Sequence, residues 1–361
     1  MRKDRTLVTI TGIRPDFIRM KEVFRQFDAH FLHIMVHTGQ HYDDALSRVF
    51  FEDLNIRKPD FTLEAGAHNP THYEQLSYLS REVFTLFHRE KIEPHLIVFL
   101  GDSNSVMISA PLFKEGYKIA HIEGGMRSYD RRMPEEVNRV ICDYVSDYIF
   151  VYTPLYKQRL LQENKPEESI YVVGNTITEI LRQYKPSGAR SCDYIVADIH
   201  RNENLRSPDQ LRHILVYLST LGKRLEKPVK LVRFNRASTM IDKHKLLLGI
   251  SNIEVVGPYG FLDYLSLQYQ SHCVVSDSGT AQEECPLLGV PVIVPRNHTE
   301  RPESVQNGNS VLIGESGAIE SMIQRSVEFL DSYQVSDSSI QWLGDGQTSK
   351  RIVDIILEQL P

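Results

Sequence analysis

Short β-rich runs separated by stretches of helical periodicity follow one another along the chain, and this alternation constrains the fold more than any other feature. In the first half the runs are Leu7–Thr11, His33–His37, His95–Leu100, Lys118–Ile122, Tyr148–Tyr152 and Tyr171–Val173. In the second they are Tyr194–Ala197, Val229–Phe234, Ile253–Val256, His272–Ser276, Pro291–Val294 and Ser310–Ile313. Between them the apolar spacing is helical. Phe17, Met20, Phe24 and Phe27 share one face, and Val137, Val140, Ile141, Tyr144, Val145 and Tyr148 another. Apolar strands alternating with helices form parallel sheets covered on both sides. The expected fold class is therefore α/β, with two doubly wound Rossmann-like domains whose strand ends face a shared cleft. Gln183–Ser191, broken by Pro186 and Gly188, reads as the linker. The expected domains are 1–184 and 185–345, with a terminal helix in 346–361 packing back on the first.

Composition removes several classes of function. The 361 residues are 41% hydrophobic and 24% charged, the balance of a soluble folded protein. No apolar run approaches the roughly 20 residues of a membrane span, and the charged start Met1–Arg5 runs straight into a strand, unlike a secretory leader. A net charge of −6 without a Lys/Arg run argues against nucleic-acid binding while leaving room for a local cationic pocket. Cys142, Cys192, Cys273 and Cys285 have no zinc-site spacing and read as reduced thiols of a cytoplasmic protein.

Chemistry-bearing residues gather where strands end. Thr11-Gly12-Ile13-Arg14-Pro15-Asp16 opens a helix after the first strand. A helix N-terminus attracts anions, and Arg14 and Arg19 can clamp a phosphate, or serve as solvated residues of an ordinary turn. Asp102 follows the apolar strand ending at Leu100, as a ligand contact or a helix cap. Glu123-Gly124-Gly125 follows the next strand, as a ligand turn or only a tight one. Pro134-Glu135-Glu136 fits a helix start, where capping accounts for one glutamate and not both. Asp102, Glu123 and Glu135 thus converge, and grouped carboxylates can divide acid and base roles. In the second half, Asp198-Ile199-His200-Arg201 occupies the place equivalent to the Arg14 loop. Asp277-Ser278-Gly279-Thr280 leads a strand into a short helix whose amides, with the Ser278 hydroxyl, can cradle a phosphate. Glu284, further along that helix, can accept both hydroxyls of a ribose, or belong to a solvated acidic face.

These segments, with Thr38-Gly39-Gln40-His41, Gly174-Asn175-Thr176 and Thr299-Glu300-Arg301-Pro302-Glu303, resemble the UDP-N-acetylglucosamine 2-epimerases in order over nearly the whole chain. The resemblance implies the glycosyltransferase type B architecture and a reaction in two halves. Removal of the C2 proton and loss of UDP give a 2-acetamidoglycal; UDP then re-adds as a proton returns to the other face. By the family pattern Asp102, Glu123 and Glu135 match the catalytic carboxylates. His200, Arg14, Ser278 and Gly279 match diphosphate contacts, Glu284 matches the ribose contact, and Arg19, Arg127, Arg201 and Arg301 are read with them as substrate-binding. Neither a cofactor nor a metal is implied; a homodimer is.

The chain departs from the family's usual pattern at Arg19 in place of lysine, Asp16 in place of glutamate, Ser103 in place of threonine and Gly124 in place of alanine. Tyr42-Asp43-Asp44 differs from the region that bacterial members use to bind a second, regulatory UDP-sugar, and Phe234–Ser238 lacks the usual proline turn. A modified sugar therefore joins the expected substrates. Met133-Pro134-Glu135-Glu136-Val137-Asn138-Arg139 favours the non-hydrolysing branch over the hydrolysing one, which releases N-acetylmannosamine. A retaining glycosyltransferase of the same fold, or a non-catalytic UDP-sugar sensor, would have little reason to gather the three carboxylates.

Overall fold

The protein, seen in a computed structural model, is described over residues 4–39, 54–66 and 71–360. Its strands form two sheets, parallel throughout. The first contains β1 (Thr6–Thr11), β2 (Leu32–His37), β3 (Phe61–Thr62), β4 (Leu96–Leu100), β5 (Ile119–Ile122), β6 (Tyr148–Val151) and β7 (Ile170–Val172), in the order 3-2-1-4-5-6-7. The second contains β8 (Ile195–Asp198), β9 (Val229–Val232), β10 (Ile253–Val256), β11 (Cys273–Ser276), β12 (Val292–Val294) and β13 (Ser310–Leu312), in the order 10-9-8-11-12-13. Every strand expected from the sequence is present to within two residues at either end. The two-residue edge strand β3 was not expected, being too short to show a period.

The chain divides into two compact units. One comprises Met1–Met126, Met133–Arg182 and Trp342–Pro361; the other comprises Arg127–Arg132 and Gln183–Gln341. Against the expected boundaries, the last segment joins the first unit from Trp342 rather than from residue 346, and Arg127–Arg132 groups with the second. In the first unit Ser349 Oγ donates to Glu179 at 2.8 Å, and Arg5 donates to the Leu357 carbonyl oxygen at 3.0 Å, which seats the helix Thr348–Gln359. Each unit has its own apolar core, one around Val8, Ile97 and Phe99, the other around Ile195, Leu218 and Val275. No helix among the described residues is long and apolar enough to cross a membrane.

The helix Arg14–His30 buries Phe17, Met20, Phe24 and Phe27, as its periodicity implies. The helix Pro134–Val145 keeps Val137, Val140 and Tyr144 on one face, and that face turns outward. Val137 and Val140 are each 40% exposed and Tyr144 is 77% exposed, while Glu136, Asn138, Arg139 and Asp143 are buried. The polar side turns inward because it supplies partners to buried polar groups.

In both sheets the strand order reverses beside the first strand of the unit. The turns after β1 and β4, and those after β8 and β11, therefore open next to each other, where α/β folds bind ligands.

Candidate functional site

Two sets of polar groups lie at these strand ends, one in each unit. In the first unit Glu123 lies just beyond β5 with φ +74°, a left-handed conformation that is strained for a side chain of this size. Its amide donates to the Phe150 carbonyl oxygen at 3.1 Å, and its own carbonyl oxygen accepts from Arg139 Nη1 at 2.8 Å. The carboxylate accepts from Arg19 Nη1 at 2.7 Å, from Arg139 Nη1 at 3.3 Å and from the Tyr152 hydroxyl at 3.3 Å. Arg139 Nη2 also donates to Asp102. One buried guanidinium therefore spans two of the expected catalytic carboxylates, and a second holds one of them. Asn138, the preceding residue of the helix, donates to the Asp102 carbonyl oxygen at 2.9 Å. Glu135 lies one turn before Arg139 on the same side of that helix, half-buried.

The loop after β1 departs from expectation. Asp16 Oδ2 accepts from the Gly12 amide at 2.7 Å and from the Ile13 amide at 3.0 Å, so this helix start is closed by its own carboxyl. A phosphate reaching this loop would find those two amides occupied. Burial pushes the Asp16 carboxyl up to about 7, against the two amide donors, with Asp102 and Glu123 adding to the rise. The side chain of Arg14 and the residues Gln40, His41, Tyr42, Asp43 and Asp44 lie outside what the structure describes.

Beneath this set, His121 Nδ1 lies 2.7 Å from Asp143, and Nε2 lies 2.8 Å from the Gly101 carbonyl oxygen. Burial opposes a charge here, but Cys142 and Asp143 raise the ring to about 10, so it is an imidazolium that donates on both sides. It ties the β4 turn to the β5 turn. A Cβ at Gly124 would lie 2.3 Å from Ile149 Cγ2 and 2.6 Å from Asp143 Oδ1. An alanine here would therefore press on this chain's own neighbours. Gly124→Ala is expected to destabilise the protein by about 1–3 kcal/mol through overpacking, read as a lowered thermal midpoint; an unchanged midpoint would show that Asp143 can move.

In the second unit Asp277, fully buried after β11, accepts the amides of His200 and Arg201, each at 3.0 Å, and Asn204 Nδ2 at 3.0 Å. His200 Nδ1 lies 2.7 Å from Asp198 Oδ1, and its ring lies 5.0 Å from that of Phe234. Asp198, His200 and Asp277 come within 4.8 Å of one another, close enough for a cation. Yet the carboxylates already hold N–H and O–H donors, and the trio is complete as a hydrogen-bonded unit.

The helix Ala281–Leu288 follows Ser278 and Gly279 with Thr280 at its N-cap, which makes no side-chain cap hydrogen bond. A Cβ at Gly279 would lie 2.0 Å from Arg301 Nη1, so only glycine lets that guanidinium pass. Arg301 is buried between Glu283 and Glu300, each at 2.9 Å, and Arg201 lies 3.5 Å from Glu300. Burial works against the Glu300 charge, but Arg296, Arg301 and Arg201 hold it well below the ordinary carboxylate range. These two arginines, expected to bind substrate, thus have carboxylate partners within the protein. Glu284 is buried on the same helix.

The structure gathers Arg19, Asp102 and Glu123 at one sheet end, and His200, Arg201, Ser278, Gly279, Glu284 and Arg301 at the other. Arg127 is buried and groups with the second unit. Sequence reasoning gave no role to Asp16, His121, Arg139, Asp143, Tyr152, Asp198 or Tyr264. Arg139 was within reach of it, since it lies at helical spacing from Glu135.

The chain matches the family model described as UDP-N-acetylglucosamine 2-epimerase over residues 25–357. It is 32% identical to the UDP-N-acetylglucosamine 2-epimerase of Methanocaldococcus jannaschii, over 97% of this chain and 98% of that one. It is 34% identical to the UDP-2,3-diacetamido-2,3-dideoxy-D-glucuronate 2-epimerase of Pseudomonas aeruginosa, over 97% and 99%. The crystal structure of the M. jannaschii enzyme in complex with UDP-GlcNAc and UDP superposes with a TM-score of 0.89 at 31% identity, covering 98% of this chain and 99% of that one.

Proposed function

From the premise that this chain belongs to the UDP-N-acetylglucosamine 2-epimerase family, whose members are isomerases, we propose that it inverts C2 of a UDP-linked 2-acetamido sugar without net hydrolysis. UDP departs as the C2 proton is removed, a 2-acetamidoglycal forms, and UDP re-adds to C1 as a proton returns to the opposite face of C2. The observation that carries this reading is the Asp102–Arg139–Glu123–Arg19 network at the switch point of the first sheet. It presents carboxylates for proton transfer, held in fixed positions by guanidinium groups. Glu135, one turn before Arg139, completes the acid set. Departure of UDP leaves charge on the diphosphate, which calls for preorganised donors. His200, Ser278, Gly279 and the uncapped helix after them supply these in the second unit, with Glu284 for the ribose. Arg14, Arg19, Arg127, Arg201 and Arg301 remain the proposed cationic surroundings of the substrate.

The P. aeruginosa relative widens the substrate class to diacetamido uronates. Proton NMR in deuterated water with UDP-N-acetylglucosamine, and separately with UDP-2,3-diacetamido-2,3-dideoxy-glucuronate, tests the reading. Deuterium at C2 with a UDP-linked epimer is the expected result. Free N-acetylmannosamine plus UDP would establish hydrolysis instead, and no exchange with either substrate would remove the epimerase reading. The same proposal places the protein in the cytoplasm, supplying precursors of surface polysaccharide.

A homodimer belongs to this proposal. Val137, Val140 and Tyr144 form one exposed stripe, and Phe113, 48% exposed, lies on the neighbouring helix Ser109–Lys114. An apolar surface of this kind, on a helix whose other side holds Arg139, suits a second copy. Light scattering is expected to give twice the 41.6 kDa chain mass, and Val140→Glu to return it to one. A monomeric wild-type protein at micromolar concentration would remove the dimer.

A further inference from the structure

We infer that Asp198, oriented by Tyr264, is a positioning residue that keeps the His200 imidazole charged and presents Nε2–H to the departing diphosphate. This rests on the reading of His200 as a diphosphate contact given above.

Asp198 is the last residue of β8 and is 3% exposed. His200 follows two positions later, where an extended chain returns to the same side. The carboxylate divides its two oxygens. Oδ1 lies 2.7 Å from His200 Nδ1, and Oδ2 accepts the Tyr264 hydroxyl at 2.9 Å. Tyr264 is on the helix Phe261–Gln270, and burial raises its hydroxyl well above the ordinary phenol range, so it remains a donor. With Oδ2 committed to a neutral donor, Oδ1 is fixed in place for the ring.

Of the other groups around the ring, Asp277 favours its charge, Phe234 is neutral and Arg201 opposes it. Asp277 Oδ1 is 3.5 Å from Nδ1, but that carboxylate is turned to the amides of His200 and Arg201 and to Asn204. Phe234 covers one flank and offers no hydrogen-bond partner. Among the described residues Arg201 opposes a charge on the ring. Burial lowers the proton affinity of His200, and Asp198 and Asp277 more than restore it, leaving the ring above the ordinary imidazole range. With Nδ1–H donated to Asp198, Nε2–H is the donor left for a ligand, on a side chain that is still 30% exposed.

The consequence for the reaction is electrostatic. A charged N–H donor to a phosphate oxygen is roughly twice as strong as a neutral one. It matters most when the C1–O bond breaks and the diphosphate gains charge. His200 keeps its proton through the step, as a donor rather than a transferring acid, and Asp198 never touches substrate.

The test begins with the full-length wild-type protein without ligand. Proton–nitrogen correlation spectra are expected to show His200 titrating above the ordinary imidazole midpoint, with Nδ1 protonated. A midpoint at or below the ordinary value overturns the proposal without any variant. In Asp198→Asn, with the fold checked by circular dichroism, the His200 midpoint is expected to fall by about one to two pH units, the effect of removing an adjacent opposite charge. Because the protonated ring is the active form, the alkaline limb of kcat should move to lower pH by the same amount. A merely structural role would lower activity at all pH values without moving that limb. If the His200 midpoint does not move in the folded variant, Asp198 does not hold the charge and the proposal falls, with the epimerase reading untouched. If the midpoint moves and the limb does not, His200 does not serve the diphosphate, and both the proposal and the role of His200 fall together.

Discussion

Glu123→Gln is expected to lower deuterium incorporation at C2 about a thousandfold, within the range by which positioned proton-transfer groups accelerate reactions. Affinity for UDP is expected to stay the same. Glutamine fills the same space, and its carbonyl oxygen can still accept from Arg139 or Arg19, but it cannot take a proton. The proposed diphosphate contacts His200, Ser278 and Gly279 belong to the second unit, so calorimetric titration with UDP separates loss of chemistry from loss of binding. Arg19 is 4% exposed and would lose its carboxylate partner, so thermal melting must accompany the assay. A folded glutamine variant that retains a tenth or more of the exchange rate would move the C2 base to Asp102 or Glu135.

Asp16→Asn is expected to make the protein more stable at alkaline pH and no different at acid pH. The Asp16 carboxyl is pushed up to about 7 in the folded protein from the ordinary aspartate value of 3.8. Between these values the folded state holds a proton that the unfolded chain has lost. Stability that is fully present below about pH 4 is therefore lost as pH rises through 7. Asparagine cannot ionise, and its single carbonyl oxygen can accept both amides that Asp16 Oδ2 holds. Roughly three pH units, at 1.36 kcal/mol each, set an upper limit of about 4 kcal/mol for the gain at pH 8. Urea unfolding at pH 4, 6 and 8 measures it. Parallel curves for the two proteins would show that the loop relaxes to solvate the carboxylate.

Much of this was legible in the sequence because it depends on local rules. An apolar strand of four to six residues, followed by a glycine and a helix start, identifies both the sheet and the edge where ligands bind. Asp102, Glu123 and Ser278 were picked out by that rule, and His200 by the equivalence of its strand end to the Arg14 loop. What escaped it depends on long-range pairing. Helical spacing puts Arg139 beside Glu135, but nothing near it in sequence indicates that it will span Asp102 and Glu123, and nothing near Tyr264 points to Asp198. The helix Pro134–Val145 shows the limit most directly. Periodicity identifies a face and not its direction, and here the polar face turns inward because buried carboxylates need guanidinium partners. Asp16 was read as part of an anion-attracting loop, whereas the fold makes it that loop's own anion.

The left-handed backbone at Glu123 sets two demands on this position against each other. Glycine or asparagine would adopt φ +74° with less strain, a gain of about 1–2 kcal/mol, but neither can transfer the proton, and either would leave buried Arg19 without this carboxylate. Stripping a buried guanidinium of its partner costs more than the relieved strain returns. A laboratory selection that rewards heat resistance alone would therefore keep glutamate at position 123, and consensus engineering of this scaffold should hold that residue fixed and vary the turn around it.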